Sequence, residues 1–258
     1  MIPPEHVLVT GAAGAIGAAI SRAMRVAWPT VRLALLDRDL EPMHALAAEL
    51  GNASVHGVDL RSLDALPALT ATLVAANGPL DGLVNCAGIM RVQQLQSWKW
   101  EDAQDLVTID LLAPLRLQDL VVHGMVERGR GVIVNLASMA GKVPLKGCAY
   151  YGASKAGLAM ASEIARADLA PHGIRVVTVY PGPVRSALLQ DARDGYGGGG
   201  LAGRFAPTGD PAELARRIMN AIALDEPRVI YPRLYGVGFS APNLSSWIAL
   251  SYGPPPVS

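Results

Sequence analysis

The chain has 258 residues, of which 51% are hydrophobic and only 17% charged, giving enough apolar material for a large core and too little charge for disorder. Twenty-two basic residues balance twenty-two acidic ones, so no net field draws the protein to nucleic acid or anionic lipid, and a small-molecule partner fits better. No apolar run reaches the roughly 20 residues of a spanning helix, and Met1-Ile2-Pro3-Pro4-Glu5-His6 lacks the basic start and apolar stretch of a secretory signal, so a cytoplasmic protein without a membrane span is expected.

Residues 7–10, 31–37, 54–59 and 82–85 read as short strands, alternating with helical runs at 16–27, 42–50 and 63–76. A long helix is expected at about 100–128, then a strand at 131–136, a helix at about 150–170 and a strand at 175–180. Such alternation marks βαβ units, and several strands are almost continuously apolar, as when both sheet faces are covered. The expected fold is therefore α/β: a single-domain Rossmann-type doubly wound parallel sheet with helices on both faces, spanning 1–258 with no internal linker.

Beyond Pro181 the pattern changes. Residues 191–203 include the glycine tetrad 197–200, which favours neither strand nor helix, so a mobile substrate loop is expected at about 187–206. Asp210-Pro211-Ala212-Glu213 reads as an N-cap, a proline at the first helical position and an acidic first turn, opening a helix to about Leu224. The ending Gly253-Pro254-Pro255-Pro256 reads as frayed or extended. Cys86 and Cys148 fit neither a disulfide framework nor a metal-ligand pair, and the five histidines are scattered, so no metal is expected.

Thr10-Gly11-Ala12-Ala13-Gly14-Ala15-Ile16-Gly17 lies between the first strand and the first helix. Glycines there let the backbone of Gly11, Ala13, Ile16 and Gly17 approach a pyrophosphate at the helix N-terminus. Asp37 ends the second strand, twenty residues past Gly17, where a carboxylate can accept hydrogen bonds from the adenosine ribose. That favours NAD over NADP as cofactor, although the neighbouring Arg38 could meet a 2′-phosphate. Tyr151 and Lys155 stand four apart in a predicted helix, on one face. An ammonium beside a phenol favours the phenolate and makes Tyr151 a usable general acid and base. Tyr150 has Ser154, not a lysine, at the same offset and reads as packing or pocket wall.

Together these elements resemble the short-chain dehydrogenase/reductase superfamily in its classical branch, over residues 7–223. Asn85-Cys86-Ala87-Gly88 looks like that family's Asn-x-Ala-Gly element beside the cofactor, with Asn85, Ala87 and Gly88 as cofactor-site residues. Asp59 and Leu60 match the adenine-contacting position. Tyr151-Gly152-Ala153-Ser154-Lys155 matches its Tyr-x-x-x-Lys element, and Ser138 stands thirteen residues before Tyr151, the spacing of the family's catalytic serine. Pro181-Gly182-Pro183-Val184-Arg185-Ser186 resembles the segment holding the nicotinamide carboxamide, through Pro181, Gly182, Val184 and Ser186. The resemblance implies hydride transfer between the nicotinamide and a secondary alcohol or ketone. In that scheme Ser138 holds the substrate oxygen, Tyr151 moves the hydroxyl proton, and Lys155 binds the nicotinamide ribose and tunes Tyr151. It further implies a homodimer or homotetramer built on the helices at 100–128 and 150–170.

Two positions depart from the family pattern. Ala15 stands where Gly is common, and Asp110, 28 residues before Ser138, stands where an asparagine helps hold a proton-path water. A carboxylate there brings negative charge toward Lys155, which stabilises the ammonium and opposes the phenolate; alternatively, Asp110 serves through its backbone carbonyl alone. Asp110 also motivates a different reading, a dinucleotide-binding sensor or interaction protein with weak turnover. The glycine spacing also fits the superfamily's extended branch, but only about 70 residues follow Pro181, too few for the added substrate domain. Substrate-facing candidates are residues 89–95, 140–148 and 187–205, whose Leu, Met, Val and Phe suit an apolar substrate.

Overall fold

The computed structural model describes residues 2–197 and 207–256. Its framework is a seven-stranded sheet of β1 (His6–Thr10), β2 (Arg32–Asp37), β3 (Ala53–Gly57), β4 (Gly82–Asn85), β5 (Gly131–Leu136), β6 (Ile174–Pro181) and β7 (Arg228–Tyr231). Every pairing is parallel, in the order β3-β2-β1-β4-β5-β6-β7. The order reverses between β1 and β4, and a ligand crevice in such a sheet forms beyond the strand ends at that reversal.

Helices α1 (Ala15–Ala27), α2 (Leu40–Leu50), α3 (Leu66–Asn77), α4 (Trp100–Val107), α5 (Ala113–Arg128) and α6 (Ala149–Leu169) connect the first six strands. Because side chains alternate across a strand, Val7 and Val9 face one way and Leu8 the other. Val7, Val9, Leu33 and Leu35 pack with Ile20, Met24, Met43 and Leu46 on one face. Leu8, Ala34, Leu36 and Ile133 pack with Leu66, Leu117 and Met125 on the opposite face. Both faces are thus apolar, which is why the strands carry no polar side.

The expected strands and helices appear within a few residues of their predicted bounds. Three regions differ. The helix expected at 100–128 is interrupted by a π-turn at Thr108–Leu112, where the Ala113 amide reaches back to the Thr108 carbonyl. Pro114 explains the break: it has no N–H to donate to the Asp110 carbonyl four residues earlier, so the turn widens. The expected loop from residue 187 begins instead as helix α7 (Ala187–Gly195), with Ser186 Oγ accepting the Leu189 amide at 3.2 Å. Residues 198–206, including most of the glycine tetrad, lie outside the described residues. Helix α8 (Pro211–Leu224) starts as expected, its Ala212 and Glu213 amides capped by Asp210 Oδ1 at 2.8 and 3.1 Å. After β7, a strand not anticipated, come α9 (Gly236–Ser240) and α10 (Pro242–Tyr252). The end runs extended from Gly253, one of the two expected alternatives, and the Gly253 carbonyl accepts a hydrogen bond from Lys146 Nζ at 3.2 Å.

Candidate active site

The turn after β1 is tied to the end of β4 by one hydroxyl. Thr10 Oγ accepts the backbone amides of Cys86 and Ala87 at 3.0 and 3.1 Å. Gly11 adopts φ +67° in this turn, and a Cβ there would lie 2.7 Å from the Ala87 backbone, so both conformation and space demand glycine. Gly14 stands at the N-cap of α1 with no side-chain cap, and the first turn carries no acidic residue. These open backbone donors fit an anionic pyrophosphate. Asp37 sits beside them, its Oδ2 accepting the Ala13 amide at 3.1 Å and its Oδ1 the Arg38 amide at 2.8 Å. Arg38 itself is exposed.

A cavity of about 440 Å³ opens beside this turn. Ile16, Cys86 and Gly88 line its cofactor end, Ser138, Tyr151 and Lys155 one wall, and Pro181, Gly182, Val184 and Ser186 another. The predicted trio and the predicted Pro-Gly segment are therefore brought together. Ser138 follows β5, and its Oγ accepts the Ala140 amide at 3.1 Å while the hydroxyl is also hydrogen-bonded with Tyr151. Lys155 Nζ donates to the Leu136 carbonyl at 3.1 Å and lies 3.4 Å from Asp110 Oδ2, in ion-pair contact but off hydrogen-bond geometry. Asp110 Oδ1 accepts the Ile89 amide at 2.8 Å, and the whole residue is inaccessible to water. The π-turn carries this carboxylate into the site, so its side chain reaches Lys155 directly.

Burial alone would lower the Lys155 pKa, but the charges of Asp110 and Tyr151 outweigh it and hold the ammonium above its ordinary value. Burial lifts the Asp110 carboxyl above the usual carboxylate range, against the pull of Lys155. The Tyr151 phenol is also raised, first by burial; Lys155 and a hydrogen bond with Ser138 oppose this, and Asp110 adds to it. Of the three Lys155 protons, the Leu136 carbonyl engages one, and Asp110 meets the ammonium as a charge without taking a hydrogen bond.

Other predicted residues fall elsewhere. Asn85 turns into the protein interior, donating to Asn135 Oδ1 at 2.8 Å and to the Pro114 carbonyl at 3.3 Å. Asp59 is engaged by Arg61, which holds its carboxyl below the usual range, and Arg61 also reaches Asp105 at 3.1 Å. Leu60 is buried among the residues of the second core face. Ser186 Oγ is committed as the cap of α7. Tyr150 packs edge-on against Trp98, with 5.1 Å between ring centroids.

The far end of the cavity is apolar, with Met90, Met139, Val143, Leu145, Leu188 and Leu189 facing it. All six come from, or adjoin, the segments expected to meet substrate. Tyr196, within the expected 187–205 segment, lines the same end and donates to the Lys146 carbonyl at 2.6 Å, whereas sequence reasoning missed Tyr235, Ala249, Gly253 and Pro254. Nothing in the linear pattern signals their approach, because it depends on how α9 and α10 fold back. Among the described residues no group of three or more His, Cys, Asp or Glu could hold a metal.

The short chain dehydrogenase family model matches residues 5–197. Among curated proteins, a D-threitol dehydrogenase of Mycolicibacterium smegmatis is 35% identical over 215 residues, covering 81% of this chain and 82% of that protein. A ketoacyl reductase of Nostoc is 32% identical over 221 residues, covering 84% and 75% respectively. Among solved structures, a metagenomic short-chain oxidoreductase in complex with NADP superposes with a TM-score of 0.72 at 29% identity, covering 88% of this chain and 96% of that one. The glycine turn at the sheet reversal, the Tyr-x-x-x-Lys helix and these matches lead to one conclusion: the chain belongs to the short-chain dehydrogenase/reductase family, a family of oxidoreductases acting on alcohols and ketones.

Proposed function

We propose that the protein transfers a hydride between NAD(H) and the carbinol or carbonyl carbon of an apolar secondary alcohol or ketone. The observation that carries this reading is the convergence of Ser138, Tyr151 and Lys155 on one wall of a cavity whose opposite end is lined by Met90, Leu145 and Leu189. When bound, the nicotinamide dinucleotide supplies the hydride chemistry. Gly11, Ala13, Ile16 and Gly17 hold its pyrophosphate, and Asp37 accepts hydrogen bonds from the adenosine ribose. That carboxylate favours NAD, since a 2′-phosphate would meet like charge; NADP, present in the similar metagenomic enzyme, is the second choice.

The chain's own groups manage the proton. The hydroxyl of Ser138 orients the substrate oxygen, and Tyr151 takes or returns the proton of that oxygen. A remaining donor of Lys155 serves the nicotinamide ribose, while its charge favours the Tyr151 phenolate. Asp110 holds Lys155 charged and in place. Exposed Leu112, Met160 and Ile164 on the α4–α5 and α6 helices supply apolar contacts for a homodimer or homotetramer.

Asp110 also favours a second reading, dinucleotide binding with weak turnover, because its charge opposes the phenolate. One assay separates the two: a panel of alcohols and ketones offered with NAD, NADH, NADP and NADPH, followed by absorbance of the reduced cofactor. Turnover with an apolar secondary alcohol, lost by about a hundredfold or more in Tyr151→Phe while dinucleotide binding persists, is the expected result. Full activity in Tyr151→Phe would overturn the mechanism.

A further inference from the structure

Helices α9 and α10 form a hairpin with two unlike sides. On the inner side, Gly238 approaches Met139 and Val143, while Tyr235, Ala249, Gly253 and Pro254 wall the cavity. On the outer side Leu234, Val237, Leu244, Trp247, Ile248 and Tyr252 are exposed, Trp247 by 58% and Tyr252 by 74%. Helix α10 has no charged residue, and none of its residues is buried. Its exposed Leu244, Trp247, Ile248 and Leu250 make an apolar surface of the kind that is stable inside a core or in lipid, and no described part of this chain covers them.

Charge distribution identifies the occupant. Residues 227–258 hold Arg228 and Arg233 and no acidic side chain. Arg228 is paired with Glu163, but exposed Arg233 at the entry to the hairpin makes no ion pair among the described residues, while Lys146 lies on the cavity side and donates to the Gly253 carbonyl. Pairing this face with a second copy of itself would bring cations together with no carboxylate from the segment between them. An anionic headgroup layer meets the same cations favourably, and the rings of Trp247 and Tyr252 suit the boundary between headgroups and acyl chains. The zero net charge of the whole chain hides this local asymmetry.

We propose that the α9–α10 hairpin docks on the surface of a bilayer containing anionic lipid, with the outer face of α10 sunk to the headgroup boundary. Because the inner face of the same hairpin walls the cavity, an apolar substrate dissolved in the bilayer enters from there; this last step rests on the oxidoreductase reading, and the docking does not.

The test is flotation of the full chain with vesicles of phosphatidylcholine alone and of phosphatidylcholine mixed with phosphatidylglycerol, together with light scattering in the absence of lipid. The wild type is expected to float with the anionic vesicles, less with the neutral ones, and less again at high salt. A triple variant, Leu244→Ser, Trp247→Ser and Ile248→Ser, changes exposed side chains only and is expected to lose partitioning by on the order of a hundredfold with its melting temperature kept. Arg233→Gln is expected to lose about fivefold, on anionic vesicles only. Equal flotation of wild type and triple variant, or no flotation with either vesicle, would overturn the proposal. So would a fall in particle mass of the triple variant without any wild-type flotation, which assigns the face to a contact between copies. Turnover of a water-soluble alcohol is measured in parallel: unchanged in the triple variant, it leaves the site reading intact whatever the vesicles show.

Discussion

Asp110 Oδ2 and Lys155 Nζ face each other at 3.4 Å, one inaccessible to water and the other nearly so. A lone buried charge is strongly unfavourable, so each group depends on the other. Asp110→Asn keeps an oxygen for the Ile89 amide and removes the charge. Since Asp110 raises both Lys155 and Tyr151, both should titrate lower in the variant. The expected result is a pH profile of kcat/KM moved to lower pH, with alcohol oxidation near neutrality increased by on the order of tenfold. Asp110→Ala leaves Lys155 unpaired and is expected to cost about 3 kcal/mol of stability in denaturant titration. An unmoved pH profile in Asp110→Asn would show that the carboxylate acts only as a spacer.

Alkaline stability follows from the same site. Tyr151 and Lys155 both hold their protons more tightly when folded than their ordinary values of 10.0 and 10.5 imply. Between the unfolded and folded pKa the native state binds more protons, so stability falls as pH rises. The contribution is complete below about pH 10 and is lost as pH rises through the folded values. Melting temperature should therefore drop steeply above about pH 10, and less steeply in Tyr151→Phe, which has no phenol to titrate.

Gly11→Ala tests the turn. The added methyl meets the Ala87 backbone at 2.7 Å in a conformation with φ +67° that alanine adopts poorly. A loss of about 2 kcal/mol or more is expected, together with weaker NAD(H) binding by fluorescence titration. Retention of both would mean that the turn relaxes away from β4.

Asp37→Ser removes the carboxylate that accepts the Ala13 amide, while Arg38 remains beside it. The ratio of kcat/KM for NAD to that for NADP is expected to fall by about tenfold or more. An unchanged ratio would show that discrimination lies elsewhere.

The short-range features were the legible ones. The glycine turn, the Tyr151–Lys155 offset, the Asp210 cap and the strand at Gly131–Leu136 each depend on neighbours a few residues away, so their patterns survive in the linear chain. The break at Thr108–Leu112 was also encoded locally, in Pro114, but the apolar periodicity from 100 to 128 masks it. Asn85 and Ser186 have the residue types a cofactor contact needs, yet the Asn85 amide nitrogen and the Ser186 hydroxyl are engaged within the protein.

The sequence by itself determined the fold class, the crevice-forming glycine turn and the spacing of Ser138, Tyr151 and Lys155, because these rest on periodicity and fixed offsets. Only the tertiary structure decided that Asp110 pairs directly with Lys155, that Arg61 engages Asp59, and that α9 and α10 wall the cavity with an apolar face turned outward. These contacts join residues from 2 to more than 100 positions apart, and their direction depends on how buried and exposed faces are shared out when the helices pack.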